Sequence, residues 1–154
     1  MADYARIDAL TLAAGEDRPR SPVIDTANGF AYFGTSTVPG KVVKVRLSDF
    51  TEVGSITFAT GEDNPCCAVI DTVNGFAYFG CYISPGKVVK VRLSDFTEVA
   101  TLTFAAGENH PYCAVIDPDN GYAYFGTWTL PGWVALFQTW TSSLLDYSLL
   151  LGIR

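Results

Sequence analysis

The segment "DTVNGFAYFG", Asp71 to Gly80, returns as "DTANGFAYFG" at Asp25 to Gly34 and as "DPDNGYAYFG" at Asp117 to Gly126. Gly29, Gly75 and Gly121 mark the register, and the interval is 46 residues both times. A fixed period of this size restricts a chain to repeat architectures, in which each unit buries its apolar face against the next. A longer stretch, "PGKVVKVRLSDFTEV" at Pro39 to Val53, recurs without change at Pro85 to Val99, so surface and core positions were duplicated together.

Inside the unit 61–106, "CAVID" is an apolar run of strand length, and the Asn74-Gly75 pair predicts a tight hairpin turn into the aromatic strand "GFAYFGCY". After the break "ISPG", Val89, Val91 and Leu93 alternate with Lys90 and Arg92 at the period of two that defines a strand. "SDFT" turns the chain again, with Ser94 and Asp95 expected to bond their own backbone, and "EVATLTFA" forms a fourth strand before the loop "AGENHP". No helical period intrudes. Four antiparallel strands in a unit of this length describe a β-propeller blade.

The fold class is therefore all-β: three 46-residue four-stranded repeats, a partial propeller of about three blades per chain. Residues 1–14 are expected to open on the fourth strand of a blade, because Asp3 to Pro19 aligns with Asp49 to Pro65. Repeats follow at 15–60 and 61–106, a partial one at 107–132, and a diverged apolar tail at 133–154. In that tail a strand followed by a short helix is expected, with Ser143 and Asp146 as a weak capping box. Gln138, Ser142, Ser143 and Asp146 interrupt its apolar run, so no membrane span is expected.

The order of Gly107 and Pro111, then "AVIDPDNGYAYFG", together with "KVVKVRLSDFTEVATLTF" of the preceding unit, resembles the YVTN-type β-propeller repeat of quinoprotein-like and lactonase-like propellers. The resemblance covers roughly residues 3 to 132, with "YFG" standing where the family has "YVxN". It implies blades, and it leaves two functions open. One is a non-enzymatic scaffold that binds protein or carbohydrate. The other is a lactonase-like hydrolase that uses channel carboxylates and a divalent metal.

Composition narrows the classes. Ten Lys and Arg against 16 Asp and Glu, a net charge of −6 with no basic cluster, argue against a nucleic-acid partner. The first 20 residues lack the basic and apolar regions of a signal peptide, so a cytoplasmic location is the default expectation. Cys66, Cys67, Cys81 and Cys113 form no Cys-x-x-Cys pair and are expected to be free thiols acting as small apolar residues. Cys67 and Cys113 are equivalent positions of successive repeats, which is expected to hold them too far apart for a disulfide.

Chemistry is sparse. Asp25, Asp71 and Asp117 recur once per blade and are weak metal candidates, but each precedes an Asn-Gly pair by three residues, where a carboxylate caps the turn. "DPDNG" fails as a calcium loop, since its glycine falls one position early and no Glu follows at the required distance. His110 is the only histidine, with Arg18 and Asn64 as its repeat equivalents, and no nucleophile and base pair declares itself. Neither a catalytic residue nor a cofactor is expected.

The informative signal is where the copies differ. Between 15–60 and 61–106 there are thirteen differences, and eight of them fall at 18–22 and 35–38. In an antiparallel blade these two connections emerge at one face. Arg18, Arg20, Cys66, Tyr82, His110, Tyr112 and Trp128 occupy them and form the candidate binding face, rich in the aromatic and Arg residues that anchor interfaces. Three blades do not close a ring, so self-association is expected, most simply a dimer of six blades in which Tyr4 to Leu12 of one chain completes the last blade of the other.

Overall fold

A computed structural model describes residues 4–140. Eleven strands follow one another there, and no helix occurs among the described residues. The first blade contains β1 (Pro19–Asp25), β2 (Phe30–Thr35), β3 (Lys41–Arg46) and β4 (Thr51–Thr57). The second contains β5 (Pro65–Asp71), β6 (Phe76–Cys81), β7 (Lys87–Arg92) and β8 (Thr97–Thr103), and the third β9 (Pro111–Asp117), β10 (Tyr122–Thr127) and β11 (Val134–Gln138). Each sheet is an antiparallel meander in chain order, four-stranded in the first two blades and three-stranded in the third among the described residues.

Burial follows from each strand's place. The inner strands β1, β5 and β9 lie side by side, so the blades radiate from a common axis. In the second blade β5 and β6 are covered from both sides, with burial running through almost every residue of β6. The outer strands β4 and β8 are largely exposed. Phe79 and Phe125 are fully buried, each facing the preceding blade, whereas the equivalent Phe33 of the first blade is only half-buried. Burying each such ring is worth about 1.5–3 kcal/mol.

Two apolar seams result. Tyr32, Val42 and Phe58 meet Ala77, Phe79, Val89 and Val91 between the first and second blades. Cys67, Tyr78, Val88 and Phe104 meet Ala123, Phe125 and Ala135 between the second and third. The strand lysines take part as well: Lys44 Nζ lies 3.9 Å from the centroid of Phe30, and Lys90 Nζ 3.9 Å from that of Phe76.

The Asn-Gly pair does not make a two-residue turn, which would need both residues left-handed. The loop is four residues long, Gly29 alone is left-handed (φ 77°), and its amide donates to the Asp25 carbonyl at 2.9 Å. In the next turn Asp95 bonds the Arg92 guanidinium and the Thr97 hydroxyl as well as its own backbone. Residues 4–12, expected to open on a fourth strand, pair with no sheet among the described residues, and Tyr4 and Ile7 are fully exposed. A fourth strand pairs with the third strand before it, and the sheets among the described residues all come after. The helix expected around Ser143 lies outside the described residues.

Candidate functional site

The variable loops are built on a backbone frame repeated from blade to blade. The amide of Gly40 donates to the Glu62 carbonyl at 3.0 Å and that of Gly86 to the Glu108 carbonyl at 3.0 Å, tying each β2–β3-type turn to the loop entering the next blade. Those loops are braced by their own glutamates, since Ala13, Ala59 and Ala105 donate backbone N–H groups to Glu16, Glu62 and Glu108. Each loop ends in a left-handed residue, Arg18, Asn64 or His110, at φ 53°, 52° and 54°. Its carbonyl accepts from the amide of Ser36, Tyr82 or Trp128, at 3.2, 3.0 and 2.9 Å. A non-glycine residue held there costs on the order of 1–2 kcal/mol, so the surrounding frame imposes the conformation.

Three positions per blade are thus presented on one face: 18, 64 and 110; 20, 66 and 112; 36, 82 and 128. All seven candidate residues occupy them. Four are brought into one array in which Tyr82 stacks on His110 (centroids 4.4 Å, planes 30° apart) and meets Tyr112 edge-on (6.1 Å, 67°), and Tyr112 in turn meets Trp128 (5.1 Å, 48°). Tyr112 is 53% and Trp128 63% exposed, so the array keeps open ring surface. An adjoining groove of about 550 Å³ is lined by Thr127, Trp128, Thr129 and Leu130. Thr129 and Leu130 stand at the repeat positions of Thr37 and Val38 in the variable turn, but they are neither aromatic nor Arg, the residue types by which the candidates were chosen.

Arg18 stands apart from the aromatic array. It lines a second groove, with Gly15, Asp17, Ser36, Thr37 and Val38, at the first-blade end of the face. Cys66 lies between the two ends. It is the extra residue of a one-residue bulge, unpaired while Pro65 faces Cys81 and Cys67 faces Gly80, and its thiol donates to the Pro111 carbonyl at 2.8 Å. The neighbouring Cys67 thiol holds Cys66 below the ordinary thiol pKa, burial opposes this, and the Arg20 guanidinium adds to it.

The carboxylates have local roles. Asp71 accepts the Asn74 amide N–H at 3.0 Å on one oxygen and its side-chain N–H at 2.7 Å on the other. Asp25 makes the same pair with Asn28, and Asp117 with Asn120. They cap turns. No group of three or more His, Cys, Asp or Glu side chains is arranged to hold a metal among the described residues.

No family model and no curated protein matches the chain. Solved structures do. The Swd1 (Cps50) β-propeller domain of Myceliophteria thermophila superposes with a TM-score of 0.64 at 16% identity, over 87% of this chain and 39% of that one. A putative 6-phosphogluconolactonase of Bacteroides fragilis gives 0.63 at 16% identity, over 84% and 40%. The WD40 repeats of RRP9 give 0.61 at 8% identity, over 75% and 34%. The fold is a partial β-propeller. The chain spans about a third to two fifths of the length of these propellers, and at such identities the likeness shows the fold alone. No helix among the described residues is long and apolar enough to cross a membrane.

Proposed function

We propose that the chain is a non-enzymatic β-propeller repeat scaffold of YVTN type that binds protein or carbohydrate through its variable-loop face. The supporting observation is the array of Tyr82, His110, Tyr112 and Trp128, which places open aromatic surface on a strained, repeated backbone frame. Rigid aromatic rings give large contact area at small entropic cost, which suits them to anchor either ligand class. The test is a panel of glycans and candidate protein ligands against wild type, Tyr112→Ala, Trp128→Ala and, as a control on the opposite face, the exposed Val73→Ala. Binding weakened about tenfold or more in the first two variants, about 1.4 kcal/mol, and unchanged in the control supports the reading. Equal binding by all four overturns it.

Self-association is the second part of the proposal, supported by the segment 4–12 and the outer edge of β11, both without a strand partner among the described residues. In the first blade Val42 faces Ile56, Val43 faces Ser55 and Lys44 faces Gly54. Carried through the 46-residue period, this register sets Val134 opposite Leu10, Ala135 opposite Ala9 and Leu136 opposite Asp8 of another copy. Val134 and Leu136 are 72% and 57% exposed, an apolar edge that such a strand would cover. Two three-bladed chains joined twice in this way make six blades, within the usual range of about 4 to 8. Light scattering of the 154-residue chain should give a dimer, and mixing Ala9→Cys with Ala135→Cys chains should give an intermolecular disulfide. A monomer at micromolar concentration overturns the dimer.

A further inference from the structure

The two seams differ at one place. On the side of the Asp-Asn turns, opposite the variable face, a cavity of about 260 Å³ opens between the first and second blades, lined in part by Asp25, Tyr32, Lys44, Gly75, Leu93 and Ser94. The 46-residue period sets Asp71, Tyr78, Lys90, Gly121, Thr139 and Trp140 at the same positions between the second and third. There the space is closed. The Trp140 indole lies against Gly121, where a Cβ would stand 2.6 Å from its Nε1, whereas a Cβ on Gly75 would meet nothing within 4 Å. The Tyr78 hydroxyl and the Lys90 ammonium both donate to the Thr139 carbonyl, at 2.9 and 3.1 Å.

In the first seam the two donors are kept and the acceptor is not. Leu93 holds the backbone place of Thr139, its amide donating to the Gly75 carbonyl at 2.9 Å as that of Thr139 does to the Gly121 carbonyl at 2.8 Å. Yet the Tyr32 hydroxyl and the Lys44 ammonium, equivalents of the pair that Thr139 engages, make no hydrogen bond among the described residues. Tyr32 is 1% exposed, and burial first, then the Asp25 charge, push its hydroxyl up to about 12, so it stays a donor at neutral pH. Lys44 is half-buried, its Nζ lying 3.9 Å from the Phe30 centroid. A covered donor without an acceptor is destabilising, and a cavity beside it is where an acceptor would enter.

We propose that this cavity binds a small monocarboxylate that carries a hydroxyl or ammonium group, one carboxylate oxygen taking the place that the Thr139 carbonyl holds in the other seam. This reading is independent of the ligand of the variable face. An oxygen placed there accepts from Tyr32 and pairs with Lys44, forming two charge-assisted hydrogen bonds. Asp25 sets the other end. Its carboxylate lines the cavity, is 1% exposed, and accepts one bond from Asn28 on each oxygen. Each oxygen has capacity for a further bond, so Asp25 accepts from the ligand hydroxyl or ammonium. The same negative charge, beside a single ammonium, disfavours a dianion such as phosphate.

The experiment is titration of the 154-residue chain with L-lactate, L-alanine, propionate and inorganic phosphate, followed by heteronuclear NMR. L-lactate or L-alanine should give saturable shifts of the Asn28, Gly75 and Ser94 amides, with a Kd of about 1 mM or tighter, while those of Asn120, Gly121 and Trp140 stay in place. Propionate, which lacks the donor group, should bind more weakly. Lys44→Met and Tyr32→Phe should each weaken binding about tenfold or more, and Trp128→Ala on the variable face should leave it unchanged. Ser94→Trp copies the closure of the other seam and should abolish binding. Absence of shifts at Gly75 and Ser94, propionate or phosphate binding as tightly as the hydroxy and amino acids, or unchanged binding in Ser94→Trp overturns the proposal. The wild-type shift map decides the matter even where a variant folds poorly.

Discussion

The Tyr82 ring lies on the His110 ring across the seam between the second and third blades, 4.4 Å between centroids, while the His110 backbone is left-handed at φ 54°. Stacking contributes about 0.5–1.5 kcal/mol and the backbone costs about as much. His110→Asn restores the residue found at position 64 and tolerates the left-handed backbone, but it loses the stack. We expect a net stability change below about 1 kcal/mol by urea denaturation, against a clear loss for Tyr82→Ala, which removes both its ring contacts and part of the seam.

Asp71 is 1% exposed and Asp117 is less buried, although both cap the same turn. Removing Asp71 takes both acceptors from the Asn74 donors and leaves a gap where its buried carboxylate sat. Asp71→Ala should cost about 1–3 kcal/mol, and Asp117→Ala clearly less, because water reaches the third-blade turn. Equal losses in thermal or urea unfolding would mean that the turns are not graded by burial. Metal analysis of the purified wild type completes this test: a stoichiometric divalent ion lost in the triple Asp25, Asp71 and Asp117→Ala chain would move these carboxylates to the hydrolase reading.

Gly80 stands where a Cβ would lie 2.5 Å from Cys67 Sγ, 3.2 Å from Pro111 Cβ and 3.3 Å from Phe125 Cδ1. Gly80→Ala therefore overpacks the second seam and should cost about 1–3 kcal/mol. Combining it with Cys67→Ala removes the nearest atom, and the double variant should be more stable than Gly80→Ala alone.

Glu98 carries a carboxyl raised above its ordinary value, by burial first and then by the Glu62 charge and a hydrogen bond shared with Glu62. The folded chain thus holds this proton more tightly than the unfolded one. Stability from this group is fully present below the unfolded pKa of about 4.3 and is lost as pH rises through the higher folded value. Glu98→Gln removes the titration. Its melting temperature, measured from about pH 4 to pH 7, should fall less than that of the wild type.

The blades were legible in the sequence because a 46-residue period and an alternation such as Lys90, Val91, Arg92 both report directly on a sheet. The differences between copies at 18–22 and 35–38 fall on loops that the frame joins, as the Asn64 amide and Thr37 carbonyl show at 3.0 Å. What escaped was tertiary. The contact of the Cys66 thiol with the Pro111 carbonyl depends on which inner strands become neighbours and on a bulge, and neither leaves a local pattern. The turn geometry at Asn28-Gly29 depended on loop length, which the dipeptide does not reveal.

The second blade meets its neighbours with different residues on its two faces, Phe79 and Val89 toward the first and Tyr78 and Val88 toward the third, yet the sequence of one unit supplies both. Each 46-residue unit is accordingly a plug and a socket for its own copy. Genetic insertion or loss of a whole unit would lengthen or shorten the arc without creating a new kind of contact, and a substitution in the socket is felt at every joint that carries it. Ring size in such a lineage becomes a matter of counting copies, while the three positions each copy lends to the variable face remain free to diverge one at a time.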